Sequence, residues 1–218
     1  MTLAHLQLQT ERLVLAQLRS GMEQALRAFL YDNRVHFAPW DPPLSQNAFE
    51  PDHLRAQILR AEHEFAKGAA LRLMLYPHSD PARIIGSVNF SQISRGAFQA
   101  AFLGYKIARD HEGKGLMREA LRTAIGYLFN DRRLHRIHAN YIPENVRSGK
   151  LLAHLGFSIE GYAKDYLFIN GAWRDHVLTS LTNAQFDVAW LMPDVGQATE
   201  RNEEMAARSG RANGVCTR

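Results

Sequence analysis

Apolar and polar positions alternate along this chain in two rhythms. Short-period stretches at Glu11–Leu18, Ala70–Tyr76, Arg83–Ser91, Gln99–Ala108 and Arg136–Ile142 predict strands. A helical rhythm runs through Met22–Leu30, with Met22, Ala25, Leu26, Phe29 and Leu30 apolar. It returns over Pro51–Lys67, where Pro51 or Asp52 sits in the first turn. The broadest stripe comprises Leu116, Met117, Ala120, Leu121, Ala124, Ile125, Leu128 and Phe129, the spacing of a helix with one face in a core. Ser148–Leu155 predicts a short helix stopped by Gly156. Tyr162–Ile169 and Ala172–Thr182, joined by Asn170-Gly171, predict a hairpin with a type I′ turn. Phe37–Gln46 is a proline-punctuated loop, and Gly96 marks another turn.

This order predicts one mixed α/β domain over residues 1–183, built around a single sheet. Beyond Asn183 the rhythm fades, and 184–218 reads as a polar tail, partly helical or disordered. The chain has 218 residues, and no apolar run approaches a membrane span. Its start lacks a basic-then-apolar export signal, so a cytoplasmic protein without membrane attachment is expected. A lone cysteine, Cys216 in the tail, excludes an internal disulfide and argues against thiol catalysis. Net charge is +4, and the four acids and four arginines after residue 193 cancel, so the excess lies in the domain. A phosphate-bearing ligand, a ribonucleoprotein setting or an ordinary basic surface would each account for it. No metal is expected: His135 and His138 point to opposite faces of a strand, and neither H-E-x-x-H nor paired cysteines occur.

The stretch "DHEGKGLMREAL", Asp110–Leu121, follows a strand and opens the broadest helix. Such a turn offers unpaired amides at the positive end of a helix dipole, and glycine lets phosphate oxygens come close. The alternative is a plain turn in which Gly113 and Gly115 only supply left-handed dihedrals. A P-loop is excluded, because no glycine precedes Gly113 by five residues. The dinucleotide fingerprint fails at Arg118, where its third glycine should stand.

From Leu103 to Phe157 the sequence resembles the core of the GCN5-related N-acetyltransferases, the GNAT superfamily. "LGYKIA", "EGKGLM" and "NVRS" follow one another in that family's order. The resemblance implies the GNAT fold, a mixed, mostly antiparallel twisted sheet flanked by helices. It implies acetyl-CoA as co-substrate and no metal. Its pantetheine arm would lie on the backbone of Tyr105 and Ile107. Its pyrophosphate would be held by Glu112, Gly113, Lys114, Gly115, Leu116 and Met117, with Asn145 and Ser148 completing the site. "APWDPP", "GKGLMREAL", "HRIHANYIPENVRSGKLLAHLGF" and "EGYAKDYLFINGAWRDHVLTSLT" look like the RimJ branch. That branch implies acetylation of the N-terminal alanine of an S5-like ribosomal protein. The partner would be that N-terminus or the ribosome, with nucleic acid touched only through the ribosome.

Three departures change the chemistry expected. Glu112 stands where the superfamily has glutamine or arginine, and is expected to point outward while Lys114 and Arg118 compensate. Met117 replaces a small residue, and Leu152 occupies the place of a tyrosine that protonates the leaving thiolate. Ser148, one turn earlier on the same helix face, becomes the candidate acid, with simple helix capping as its alternative.

An α-amine, with a reference pKa of about 7.7–8.0, asks less of a general base than a lysine near 10.4. Glu160, Asp175 and His176 are the candidate bases, Glu160 foremost, and a water chain would also serve. Trp40, Asn89, Phe90 and Asp175 are candidate substrate contacts; for Trp40 and Phe90 core burial is the alternative. Asp41, Glu50 and Asp52 would suit a basic substrate tail. No covalent acyl-enzyme is expected, because no nucleophile turn exists. Two other functions use the same fold: a small-amine or antibiotic acetyltransferase, and a non-catalytic ribosome-associated acyl-CoA-binding protein.

Overall fold

Leu13, Leu15, Leu73, Leu75, Val88, Phe90, Ala101 and Leu103 are buried in one cluster. Each sits at an alternate position of its strand, so a single sheet face is apolar from strand to strand. In the computed structural model, which describes residues 5–191, eight strands build that sheet. They are β1 Gln7–Gln9, β2 Leu13–Gln17, β3 Leu71–Pro77, β4 Gly86–Ser94, β5 Ala100–Ile107, β6 Arg136–His138, β7 Ser158–Ile169 and β8 Ala172–Thr182. Their order is β1-β2-β3-β4-β5-β6-β8-β7. Only β5 and β6 run parallel; every other neighbouring pair is antiparallel.

The helices divide between the two faces. Helices α1 (Glu23–Asp32), α2 (Arg34–Phe37) and α3 (Pro51–Ala66) bury Leu26, Phe29, Phe37, Leu54, Ile58 and Ala61 with Met74 and Ile84. Met74 lies between Leu73 and Leu75, so these helices cover the second face. Helix α4 (Leu116–Asn130) buries Leu116, Met117, Ala120, Leu121, Ala124, Ile125 and Leu128 in the first-face cluster. Burying one such leucine contributes about 1.5–3 kcal/mol, so the stripe read from the sequence anchors α4 firmly. Helix α5 (Val146–His154) adds Leu152 to the same cluster.

The local differences have identifiable causes. β1 is short and polar, which leaves no apolar signal, and α2 occupies one turn before the proline loop. Arg136–Ile142 is extended as expected but leaves the sheet ladder after His138. Ala139 N–H donates to Thr179 O, and Tyr141 and Val177 exchange both backbone bonds, so the segment follows β8 rather than β5. Helix α5 starts earlier than expected because Asn145 Oδ1 accepts from Ser148 N–H at 3.1 Å. The β7–β8 hairpin starts at Ser158 and slips register between Ile159 and Gly161 and between Ala163 and Leu167.

One compact unit ends at Ala184 and a second begins at Gln185. In the second, Asp187 caps a single 3-10 turn, Val188–Trp190, and the Phe186 and Trp190 rings meet edge to face. The tail from 192 onward, Cys216 included, lies outside the described residues. Among those described, no helix is long and apolar enough to cross a membrane, and no cluster of three His, Cys, Asp or Glu side chains could hold a metal.

Candidate active site

The parallel pair β5–β6 is joined over three residues only: Ala100–Arg136, Ala101–Ile137 and Phe102–His138. Past that point β5 continues to Ile107 while the segment after β6 turns away along β8, so a wedge opens in the sheet. On its other side β5 remains fully paired with β4. There Ala108 N–H donates to Ile85 O at 2.8 Å, and bonding alternates along an antiparallel ladder. The main-chain groups of Gly104 and Lys106 are therefore engaged with β4, and those of Tyr105 and Ile107 face the wedge.

The glycine turn lies at the wide end of the wedge. Gly113 and Gly115 have φ of 73° and 75°, and a Cβ on Gly113 would meet nothing within 4 Å. Their need for glycine is conformational rather than steric. Gly115 caps α4 without any side-chain cap, so the first amides of α4 keep their donors for a ligand. Leu116 and Met117 turn their side chains into the core and can contribute only those amides. Arg12, which sequence spacing gave no reason to select, reaches the turn from β2's leading edge. Its Nη1 donates to Lys114 O at 3.0 Å, and its guanidinium pairs with Glu119 at 2.6 Å. Glu119 also accepts from Thr10 Oγ1 and Arg12 N–H, at 2.6 and 2.8 Å. Burial acts to raise the Glu119 pKa, but these bonds outweigh it and hold the carboxyl below its ordinary range.

Glu112 does not project outward as expected. Its carboxylate pairs with Arg147 at the start of α5 and lies 3.3 Å from His36 Nε2. The compensating charge comes from Arg147 of α5 rather than from Lys114 and Arg118.

Tyr105 crosses the wedge on the first face, and its hydroxyl shares a 2.7 Å hydrogen bond with Ser148 Oγ. Burial, together with Tyr141 nearby and against the Ser148 bond, pushes the Tyr105 pKa up to about 12. The phenol therefore keeps its proton at neutral pH and can donate to Ser148. Asn145, not Ser148, caps α5, which leaves the Ser148 hydroxyl available for chemistry. Leu152 is buried in the core. Gly149 is required by packing: a Cβ there would come within 2.8 Å of the Tyr141 ring.

The second face holds the remaining predicted residues, and several are redistributed. Asn89 stands on this face opposite Gly104, and its Oδ1 is buried with no hydrogen-bond partner. Phe90, the next residue, points the other way and is fully buried in the first-face core, the alternative of core burial raised for it. Glu160 is also on the second face, ion-paired with Arg136, and thus across the sheet from Ser148. Its pKa is lowered by hydrogen bonding with Ser180 and then with Arg136, which makes it a weak proton acceptor. Asp175 accepts from Tyr162 Oη at 2.6 Å and from Asp165 N–H at 2.9 Å, closing the hairpin bulge. His176 is buried, its Nδ1 3.0 Å from Arg174 O. Trp40 is 39% exposed and available as a wall. Asp41 is not a free acid: it pairs with Lys106, and its carbonyl accepts from Asn170 N–H at the hairpin tip.

Residues 12–158 match the acetyltransferase (GNAT) domain family. The [ribosomal protein uS5]-alanine N-acetyltransferase of Escherichia coli K12 is 45% identical over 175 residues, spanning 80% of this chain and 90% of that protein. Among solved structures, ribosomal-protein-S5-alanine acetyltransferase from Vibrio fischeri superimposes with a TM-score of 0.79 at 36% identity, covering 84% of this chain and 99% of its own. Mycobacterium smegmatis RimJ, solved in complex with CoA-disulfide, gives 0.74 at 27% identity, over 84% of this chain and 89% of its own. A parted parallel strand pair, an uncapped glycine turn at a helix start and this continuous likeness lead to one assignment: the chain belongs to the GNAT family of acetyltransferases.

Proposed function

We propose that this protein transfers the acetyl group of acetyl-CoA directly to the N-terminal α-amine of a ribosomal protein whose first residue is alanine. One observation carries the reading: the wedge between β5 and β6 runs from the glycine turn to the Tyr105–Ser148 pair. The amides of 113–117, backed by Arg12 and Lys114, hold the pyrophosphate. Backbone groups of Tyr105 and Ile107 hold the pantetheine arm, as an added strand would be held. This aims the thioester at the apex of the wedge. Ser148 gives its proton to the departing thiolate and is resupplied by Tyr105. The amine enters from the second face, past Trp40 and Asn89. Near pH 7.5 roughly a third of an α-amine is neutral already, so modest base assistance is enough. The uS5-alanine specificity of the Escherichia coli relative supports the choice of substrate, and the cytoplasm is where it would be met.

Calorimetry with acetyl-CoA, followed by mass spectrometry of peptides beginning with alanine, serine or methionine and of spermidine, tests this. The expected result is coenzyme binding and a single acetyl group, fastest on the alanine peptide. Acetylation of spermidine but of no peptide would move the protein to the small-amine class. Binding without any transfer would make it a non-catalytic acyl-CoA-binding protein.

A further inference from the structure

His138 occupies a singular place in this sheet. It is the last residue of β6 still paired with β5, so it stands at the apex where the wedge begins. Ile137 beside it points into the first-face core, which directs His138 to the second face, the side from which the amine arrives. The ring stacks on Phe102 with centroids 5.1 Å apart, and Phe98 flanks it at 5.7 Å. Nδ1 lies 3.9 Å from Glu160 Oε2, too far for a hydrogen bond but near enough to bias the proton toward that nitrogen. Nε2 is buried and has no hydrogen-bond partner. An unpaired buried nitrogen costs stability, so its persistence at the apex points to a ligand.

We infer that His138 is the catalytic base of the transfer reaction, accepting through Nε2 the proton that the attacking α-amine must lose, and that Glu160 is a positioning residue which sets the imidazole tautomer. The inference rests on the acetyl-transfer reading above. Its balance is simple. The amine nitrogen bonds to the thioester carbon, one N–H proton passes to Nε2, the C–S bond breaks, and the thiolate takes the Ser148 proton. The nitrogen of the tetrahedral adduct is positively charged and strongly acidic, so a weak base suffices.

The imidazole has the protonation such a base needs. Burial, then Arg136, hold its pKa below the ordinary histidine value, and Glu160 opposes them only in part. The charged groups facing it are therefore Arg136 from its own strand and Glu160 from β7; β5 and the preceding turn present only Phe102 and Phe98. The neutral ring is therefore the favoured form at pH 7. Glu160, held by Arg136, cannot easily serve in its place.

The test compares wild type with His138→Gln and Glu160→Gln on an alanine-starting peptide across pH 5–9, with coenzyme affinity by calorimetry and the His138 titration by NMR. His138→Gln should cut kcat by at least about 30-fold while leaving coenzyme affinity within about twofold. The low-pH inflection of kcat/KM should coincide with the NMR pKa of His138 and vanish in that variant, leaving only the amine's own. In Glu160→Gln the inflection should persist but move down, because a neighbouring negative charge is gone. A His138→Gln enzyme with more than a third of wild-type kcat, or with an unchanged low-pH inflection, overturns the assignment. A wild type that binds acetyl-CoA yet acetylates no peptide or amine overturns the transfer reading, and this inference with it.

Discussion

Tyr105 and Ser148 are the residues on which the proposed proton supply depends, and their 2.7 Å contact makes them one unit. Ser148→Ala should lower kcat by about tenfold or more, and a loss below about threefold (~0.6 kcal/mol) would remove it as the acid. Tyr105→Phe should cost less, because Ser148 keeps its own hydroxyl. The double variant should be no slower than Ser148→Ala alone, since a relay broken at its exit gains nothing from its source. Full additivity in stopped-flow or steady-state rates would mean the two act separately. At the same scale, strand alternation separates two neighbouring candidate substrate contacts. Asn89 and Phe90 are adjacent, so a strand sends them to opposite faces, and only Asn89 reaches the second face.

At the scale of elements, the turn into α4 is decided by two glycines and one clamp. Gly115→Ala should destabilise the protein by about 1–2 kcal/mol in urea unfolding, because φ of 75° is costly for an L side chain. Coenzyme affinity should fall with it, as the amides rotate out of line. The Arg12–Glu119 clamp ties β2 to α4, and Glu119→Gln should cost about 1–2 kcal/mol, the upper range being trimmed by the exposure of Arg12. Its pH dependence has a definite sign. The folded carboxyl titrates below its unfolded value, so the stabilisation is complete above about pH 4.3. It is lost as pH falls through the folded value. The Tm gap between wild type and Glu119→Gln should therefore close in acid; a gap constant from pH 7 down to pH 2 would contradict the clamp.

For the whole molecule, the proposed site leaves part of one sheet to be completed by the coenzyme rather than by protein. A coenzyme that inserts there binds the folded chain only, so stability should rise with its concentration. At a hundredfold excess over Kd the gain is about 2.7 kcal/mol, or roughly 5–11 °C in Tm for a domain of this size. Thermal melts with acetyl-CoA and with free adenosine diphosphate should separate the contributions of thioester arm and pyrophosphate. No shift with either would mean that the wedge is closed in solution.

Chain periodicity alone determined the helix stripe from Leu116 to Leu128, the strand-rich order around it and the glycine turn, because each is a contact between near neighbours in sequence. The same local chemistry marked Ser148 at a helix start, whereas Asn145, which caps that helix, entered only through the family resemblance. Only the tertiary structure decided which strand the Arg136–Ile142 segment follows after His138, and hence that a wedge exists at all. It also brought Arg12 to Lys114, Arg147 to Glu112 and Tyr105 to Ser148, and set Glu160 beside Arg136 on the far face. Those pairings join residues 24 to 102 positions apart, and no periodic pattern encodes a partner that distant. Local sequence fixes dihedrals and faces; the register of strands laid side by side fixes which faces meet.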